Sequence, residues 1–328
     1  MPKIGLRNVE DSDILAGALE SVWGTEFSSV EIGVTCNDLE KKAHIRRLLE
    51  NYFSSSLGKK IQKENFEVYF LFNYERGVME AIPSSVCIEG RYNKFSREIA
   101  QTFHYCYKCK GRGCDFCQFR GKLSELSVQE LLDKKILPAF GSAMSKFHGC
   151  GREDVDVLML GKGRPFVFEA LFAPKRSADL AALEKEINSE FEGKIAVHSL
   201  KFCGQKRIVE LKNTQFGKVY RAKCSCDENV SQKELDAFPK NELPLVQRTP
   251  ERVELRRADK EREKGAKIIG AKKLSEKEFE VDVLSSHGLY VKEFVSGDSG
   301  RTIPSISSLL GKNCKCVRLD VLEIVLEK

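Results

Sequence analysis

Four thiols stand close together in the pattern Cys106-Tyr-Lys-Cys109-Lys-Gly-Arg-Gly113-Cys114-Asp-Phe-Cys117. A CxxC turn aims both of its sulfurs at one point, so two such turns can close on a single tetrahedral ion. Gly111 and Gly113 let the chain fold the second turn onto the first. The pattern predicts a structural zinc knuckle held by Cys106, Cys109, Cys114 and Cys117. A second concentration of chemistry lies in residues 147–169. It holds Glu153, Asp154 and Asp156, with Arg152 and Arg164 and glycines at 149, 151, 161 and 163. Arginines beside acids suggest held carboxylates, and glycines permit close backbone approach to a ligand. The segment therefore reads as an active-site candidate, against the plainer alternative of a charged surface turn. Alternation would put Asp154 and Asp156 on one face, so the pattern does not choose between them.

The remaining thiols have plainer readings. Cys36, Cys87, Cys150 and Cys203 are expected to behave as small buried hydrophobes. Cys224 and Cys226, and Cys314 and Cys316, sit two apart in strand patterns, so each pair should share a face.

These groups need elements to position them. A strand is expected at 30–35, followed by a helix capped by Asp38 that carries Leu39, Ala43, Ile45, Leu48, Leu49 and Phe53 at helical spacing. Residues 66–72 alternate as a half-buried strand. Another strand at 86–92 runs into the basic stretch Arg91-Tyr-Asn-Lys94-Phe-Ser-Arg97, after which a boundary is placed. Ser127 and Glu130 form a capping box at the start of a helix over 127–135. Beyond it, strands are expected at 166–171, 195–202, 207–211, 219–224, 279–285 and 315–326, with helices at 178–191 and 231–237. Few strand pairs are separated by the long crossover that parallel pairing requires. The expected fold is α+β, with a mixed, mainly antiparallel sheet. Its parts are a small α/β unit at 1–102, the knuckle at 103–122 and a catalytic domain at 123–328.

Composition narrows the class. The 328 residues carry 54 Lys+Arg and 48 Asp+Glu, a formal charge of +6, and 41% are hydrophobic, which argues against wholesale disorder. No apolar run reaches the length of a membrane-spanning helix. The stretch Met1-Pro-Lys-Ile-Gly5 has no signal-peptide core, so a cytoplasmic protein with reduced thiols is expected. The charge is uneven. Residues 106–122 hold five Lys/Arg against one Asp, and residues 247–273 hold ten Lys/Arg against five acids. Two basic tracts point to a polyanion.

From Cys87 onward the sequence resembles the archaeal and eukaryotic type of tRNA pseudouridine synthase that acts in the TΨC arm. The matching stretches are Gly90-Arg-Tyr-Asn-Lys-Phe-Ser-Arg97, Gly121-Lys122 with 127–132, Gly151-Arg152-Glu153-Asp154-Val-Asp156, Gly161-Lys-Gly163-Arg164-Pro-Phe166, Arg248-Thr-Pro-Glu-Arg252-Val with Arg256 and Arg257, Tyr290-Val-Lys292-Glu-Phe294, and Gly297-Asp-Ser-Gly-Arg301-Thr302. The thiol pattern resembles archaeal members. The resemblance implies that Asp154 is the catalytic carboxylate. It implies that Lys292 supplies the nearby cation that favours an ionised acid, that Tyr220 stacks on the target base, that Tyr290 is a second substrate-binding tyrosine and that Leu319 lines the same pocket. Arg152 is expected beside the substrate. Arg91, Lys94, Arg97, Arg164, Arg248, Arg252, Arg256, Arg257 and Arg301 are expected to contact RNA. A uridine must leave its stack to reach such a site, so aromatic and apolar walls fit the chemistry. The resemblance implies tRNA as partner, modification at position 55 and also 54, no cofactor for catalysis and no obligate protein partner. The N-terminal unit resembles the RNA-binding THUMP type weakly. It lacks the early CxxC pair of many relatives, Leu289 stands where a small polar residue is usual, and Ser299 stands where an aromatic is usual. The competing reading is a zinc-stabilised RNA-binding module without catalysis.

Overall fold

Period-two burial builds the first sheet: Val68, Phe70 and Phe72 are fully buried while the residues between them are not. The computed structural model describes residues 4–5, 10–256 and 258–326, with the backbone alone at 4, 5, 255, 256 and 326. One compact unit comprises Met1–Ile88, Leu132–Phe147 and Phe168–Leu183. It contains β1 (Ile4–Gly5), α1 (Asp11–Ser21), β2 (Ser29–Thr35), α2 (Leu39–Asn51), β3 (Lys60–Ile61), β4 (Val68–Asn73) and β5 (Val78–Pro83). The sheet order is β1-β5-β4-β2-β3. β2 pairs in parallel with β3 and β4, and β5 runs antiparallel to β4 and β1. Asp38 caps α2 as expected, accepting from the Lys41 backbone N–H at 3.0 Å. Ile14 and Ala18 of α1, Ile45 and Leu49 of α2, and Phe53 close over Phe70 and Phe72 in one apolar core.

The second unit comprises Glu89–Leu131, His148–Val167 and Glu184–Lys328. The boundary expected after residue 102 and the thiol segment 103–122 both fall inside it. The elements that follow β5 are β6 (Val86–Lys94), α3 (Val128–Phe140), β7 (Met144–Gly149), β8 (Leu158–Leu171), α4 (Leu180–Glu190), β9 (Ile195–Cys203), α5 (Lys206–Asn213), β10 (Phe216–Cys226), α6 (Gln232–Asp236), β11 (Leu243–Arg248), β12 (Glu261–Lys273), β13 (Glu278–Ser285), α7 (Val291–Ser296), β14 (Thr302–Ile303), α8 (Ile306–Leu310) and β15 (Cys314–Leu326). Their sheet runs β14-β11-β12-β13-β10-β15-β8-β6-β9, with β7 paired to β8. Every pairing from β14 to β15 is antiparallel. β15 meets β8 in parallel. The α+β reading and the mainly antiparallel character both match these pairings.

Three local expectations need correction. Residues 207–211 form helix α5 rather than a strand. Ile208 and Leu211 lie three apart on one helical face, and a short apolar run does not separate the two periods. The basic tract 247–273 contains β12, a strand whose charged residues mask the alternation around buried Ala266 and Ile268. Strand β8 begins at Leu158, eight residues before the expected start, and runs through Gly161 and Gly163. A Cβ at Gly161 would lie 2.0 Å from the Leu322 carbonyl oxygen, and one at Gly163 would lie 2.8 Å from that of Tyr92. These two glycines admit the neighbouring strands of the protein, not a ligand.

Candidate active site

Glu153 is withdrawn from the surface. Its carboxylate lies 2.9 Å from Arg164 Nε, and both side chains are 1% exposed. The Tyr92 hydroxyl donates to it at 2.8 Å, and Gln101 Nε2 donates to Tyr92 and to the Gly151 carbonyl. Arg164 also donates to the Cys150 carbonyl at 2.7 Å. Burial works against the Arg164 charge, but the Glu153 carboxylate beside it raises its pKa overall. Burial and the same carboxylate push the Tyr92 phenol well up. This buried network of one ion pair and several hydrogen bonds fixes the floor beneath residues 150–154.

Residues 154–157 form a turn, closed by the Val157 N–H on the Asp154 carbonyl at 3.1 Å, rather than the alternating strand expected. Lys94, fully buried, donates to the carbonyls of Ile99, Asp154 and Val155 at 2.8, 3.3 and 2.7 Å. Arg97 donates to the carbonyls of Asp156 and Leu319 and pairs with Asp320. The turn that carries both aspartates is thus held from below by β6 and the residues just after it.

Above the turn, helix α7 and the segment after β11 supply cations. Lys292 Nζ lies 3.4 Å from Asp154 Oδ2 and 2.8 Å from Asp156 Oδ2. Arg252 Nη1 lies 3.3 Å from Asp154 Oδ2, and its Nε lies 2.6 Å from Glu293. The Arg252 guanidinium also stands 5.9 Å from the centre of the Tyr290 ring. Burial opposes ionisation of Asp156, but the hydrogen bond and charge of Lys292 hold its carboxyl below the usual range. Burial likewise works against the Lys292 charge, and the two aspartates raise it.

A cavity of about 290 Å³ opens on this cluster. Asp154, Arg152, Tyr220, Tyr290, Lys292 and Leu319 all line it, so every residue expected at the site is brought together there. Asp156 is absent from the lining, which separates two acids that the sequence left equivalent. Tyr220 lies on β10 beside a register shift whose extra residue is Leu322 of β15. Burial, opposed by the nearby Arg164, pushes its phenol up to about 12. Leu319 of β15 is buried opposite Ala222 of β10.

Several lining and supporting residues went unread in the sequence. Lys218 is buried in the cavity wall. It stands two residues before Tyr220 on one strand, so alternation alone would have placed it. Gln247, buried on β11, clamps the Tyr290 backbone by accepting from its N–H at 2.8 Å and donating to its carbonyl at 3.0 Å. No local pattern marks that glutamine.

The expected RNA contacts divide. Lys94 and Arg164 are fully buried and spend their donors on backbone carbonyls and Glu153, so they are internal struts. Arg91 donates to the carbonyls of Lys162 and Gly163, both at 2.7 Å. Arg301 is ringed by Glu251, Glu254 and Asp259. Arg248 makes a two-pronged pair with Asp259. Arg152 is exposed, with no ion-pair partner among the described residues. Arg257 and the side chain of Arg256 lie outside the described residues.

The four clustered thiols converge. Their sulfurs all lie within 4.8 Å of one another, with separations of 3.9, 3.8 and 3.8 Å for three pairs. A tetrahedral ion with metal–sulfur bonds of about 2.3 Å requires edges of about 3.8 Å. Backbone N–H groups of Gly113, Cys114 and Gly121 donate to Cys109 and Cys117 sulfurs at 3.2–3.3 Å, which suits anionic thiolates. A Cβ at Gly113 would lie 2.8 Å from the Phe119 carbonyl oxygen, so glycine is needed where the two turns meet. Among the described residues this is the one thiol, histidine and carboxylate group gathered tightly enough for a metal.

The family model described as Pus10, C-terminal, matches residues 87–325. The chain belongs to the Pus10 family. A Pus10 relative from Korarchaeum cryptofilum, described as tRNA pseudouridine synthase Pus10, is 38% identical over 98% of this chain and 92% of its own length. One from Methanothermobacter marburgensis is 48% identical over 73% of this chain, but the match spans 60% of that protein. One from Methanocaldococcus jannaschii is 44% identical over 72% of this chain and 52% of its own length. Among solved structures, a Cbf5-Nop10-Gar1 complex matches with a TM-score of 0.36 and 16% identity, covering 61% of this chain and 46% of that one. Within the Pus10 match lie all of the cavity-lining residues and all four clustered thiols.

Proposed function

We propose that this chain is a tRNA pseudouridine synthase that isomerises uridine in the TΨC arm, at position 55 and also at 54. The observation that carries the reading is the placement of Asp154. Of three neighbouring acids, Glu153 is locked to Arg164 and Asp156 lies off the cavity. Asp154 shares the cavity lining with Glu153, but of those two only Asp154 faces Lys292 and Arg252. Membership of a family whose relatives are described as tRNA pseudouridine synthases supports the same reaction.

In this reading the target uridine leaves its stack and enters the cavity. Tyr220 stacks on the base, Leu319 forms the apolar wall and Tyr290 bounds the other side. Asp154 attacks the nucleotide or removes a sugar proton as the bond from the sugar to N1 breaks. The base then rotates and rejoins through C5, whose proton is lost, while N1 gains one. Atoms and electrons balance within the nucleotide, so no cofactor is needed. Lys292 and Arg252 compensate the charge of the half-exposed Asp154 carboxylate.

Arg152, Arg91, Arg97, Arg248, Arg252, Arg256, Arg257 and Arg301 act on the tRNA backbone, some of them through loops they brace. Zinc is the ion suited to the Cys106, Cys109, Cys114 and Cys117 set, as a structural element. The N-terminal unit serves as a THUMP-like tRNA grip, and the protein works in the cytoplasm. The test is to incubate the protein with one unmodified tRNA transcript and map pseudouridine. Conversion of U55, with or without U54, supports the reading. Salt-sensitive tRNA binding without any new pseudouridine would replace it by a binding module.

A further inference from the structure

The thiol knuckle wears its aromatic residues outward. Tyr105, Tyr107, Phe116 and Phe119 are 62%, 50%, 49% and 73% exposed. The core of this small module is made of Cys106, Cys109 and Cys117, with Cys114 and Leu123 packed against it. The clustered sulfurs therefore take the place of an apolar core, and the rings are left at the surface. Four large exposed rings on so short a segment leave apolar surface that water disfavours unless a partner covers it. Tyr107 and Phe116 lie edge to face with centroids 5.3 Å apart, and Lys108 Nζ stands 4.2 Å from the Phe116 ring centre.

The charge around these rings is mainly positive, with Asp115 the one acid in residues 106–122. Lys108, Lys110, Arg112 and Arg120 are exposed, and among the described residues none of them has an acidic partner. Arg112 and Arg120 each spend Nε on a backbone carbonyl, of Cys109 and Cys117 respectively, both at 3.3 Å. That anchors each guanidinium and leaves its remaining four N–H donors for another partner. Rings offer stacking faces to bases, and cations track phosphates. Their combination is the chemistry of single-stranded nucleic-acid binding. A duplex would satisfy the cations but leave the rings uncovered, because its bases are stacked on one another.

We infer that the knuckle is a second RNA contact, which takes unpaired nucleotides by stacking them on Phe119 and Tyr107 while Lys108, Lys110, Arg112 and Arg120 hold their phosphates. The surface is separate from the Asp154 cavity, and its test reads binding rather than catalysis. The full-length protein is titrated into a fluorescein-labelled 12-nucleotide oligouridylate, and into a duplex hairpin of equal charge, at several salt concentrations. Phe119→Ala and Tyr107→Ala should each weaken oligouridylate binding roughly 5- to 100-fold. Hairpin binding should change little. Lys108→Ala combined with Lys110→Ala should lower the salt slope by about 1.4. Phe119→Leu keeps apolar bulk but removes the stacking face, and should behave like Phe119→Ala. Metal content and thermal midpoint equal to the parent's establish that each variant folds. A 4-thiouridine version of the probe, irradiated and mapped by mass spectrometry, should cross-link to the peptide bearing Phe119. Parent-like affinity of both aromatic variants, or cross-links confined to peptides outside residues 105–122, would overturn the inference and leave the rings as a protein-docking patch.

Discussion

The Lys292 ammonium lies 2.8 Å from Asp156 Oδ2, closer than its 3.4 Å approach to Asp154. One cation is shared between two acids, and the acid on the cavity has the weaker hold on it. Such sharing leaves Asp154 loosely tethered and able to meet substrate, while Asp156 keeps the ammonium in place. Lys292→Met should lower the rate constant for pseudouridine formation by roughly 100-fold. TRNA affinity, measured by filter binding, should change less than about threefold. A parallel loss of affinity and rate would make Lys292 a general RNA contact instead.

Arg252 spans Asp154 and Glu293 with two different nitrogens. A lysine lacks the planar fork that lets Arg252 meet the two acids with separate nitrogens, and its single ammonium would have to leave one position to serve the other. Arg252→Lys is therefore expected to lose activity roughly tenfold or more despite preserving charge. Single-turnover rates on a tRNA transcript check this. Parent-like turnover would mean that only net charge matters at this position.

Lys94 gives a signature in pH. Burial is the leading cause that brings its pKa from 10.5 to about 8. Glu153 and Asp156 oppose that fall, and Arg164 and Arg97 assist it. Between about pH 8 and 10.5 the unfolded chain binds a proton on Lys94 that the folded chain does not. Stability from this group therefore rises with pH across that window. Relative to Lys94→Met, the parent should gain on the order of 2–3 kcal/mol between about pH 7 and pH 10, measured by urea unfolding. A difference that stays flat would contradict the burial of a charged Lys94. At neutral pH the variant strands the carbonyls of Ile99, Asp154 and Val155, so it should also be less active.

The thiol cluster predicts a metal stoichiometry. Protein purified without chelator should carry about one equivalent of zinc, and removing it should lower the thermal midpoint. Cys117→Ser should abolish retention. Less than about half an equivalent of zinc in the parent would count against ligation.

The site was more legible than the scaffold. The two CxxC turns and the residues drawn from resemblance converge as expected, because ligand spacing and motif order survive in a linear string. Alternation placed β4, β9, β13 and β15 for the same reason. What failed has physical causes. The pairs Cys224–Cys316 and Cys226–Cys314 face each other only once β10 and β15 take their register. Arg164 and Lys94 looked like RNA contacts because a basic residue in a glycine-rich motif does not announce its burial. Strand β12 was hidden because its consecutive charges at 261–264 outweighed the two buried residues Ala266 and Ile268. Gln247 reaches Tyr290 across 43 positions of sequence, a contact that no local pattern encodes.

The central claim is that Asp154, and not its neighbour Asp156, performs the isomerisation. The most direct measurement compares Asp154→Asn and Asp156→Asn under single-turnover conditions on one tRNA transcript, with U55 conversion read by chemical mapping. Asp154→Asn should lower the rate at least roughly 100-fold while still binding tRNA, and Asp156→Asn should stay within about tenfold of the parent. A parent-like rate for Asp154→Asn, or a deeper loss for Asp156→Asn, would contradict the assignment.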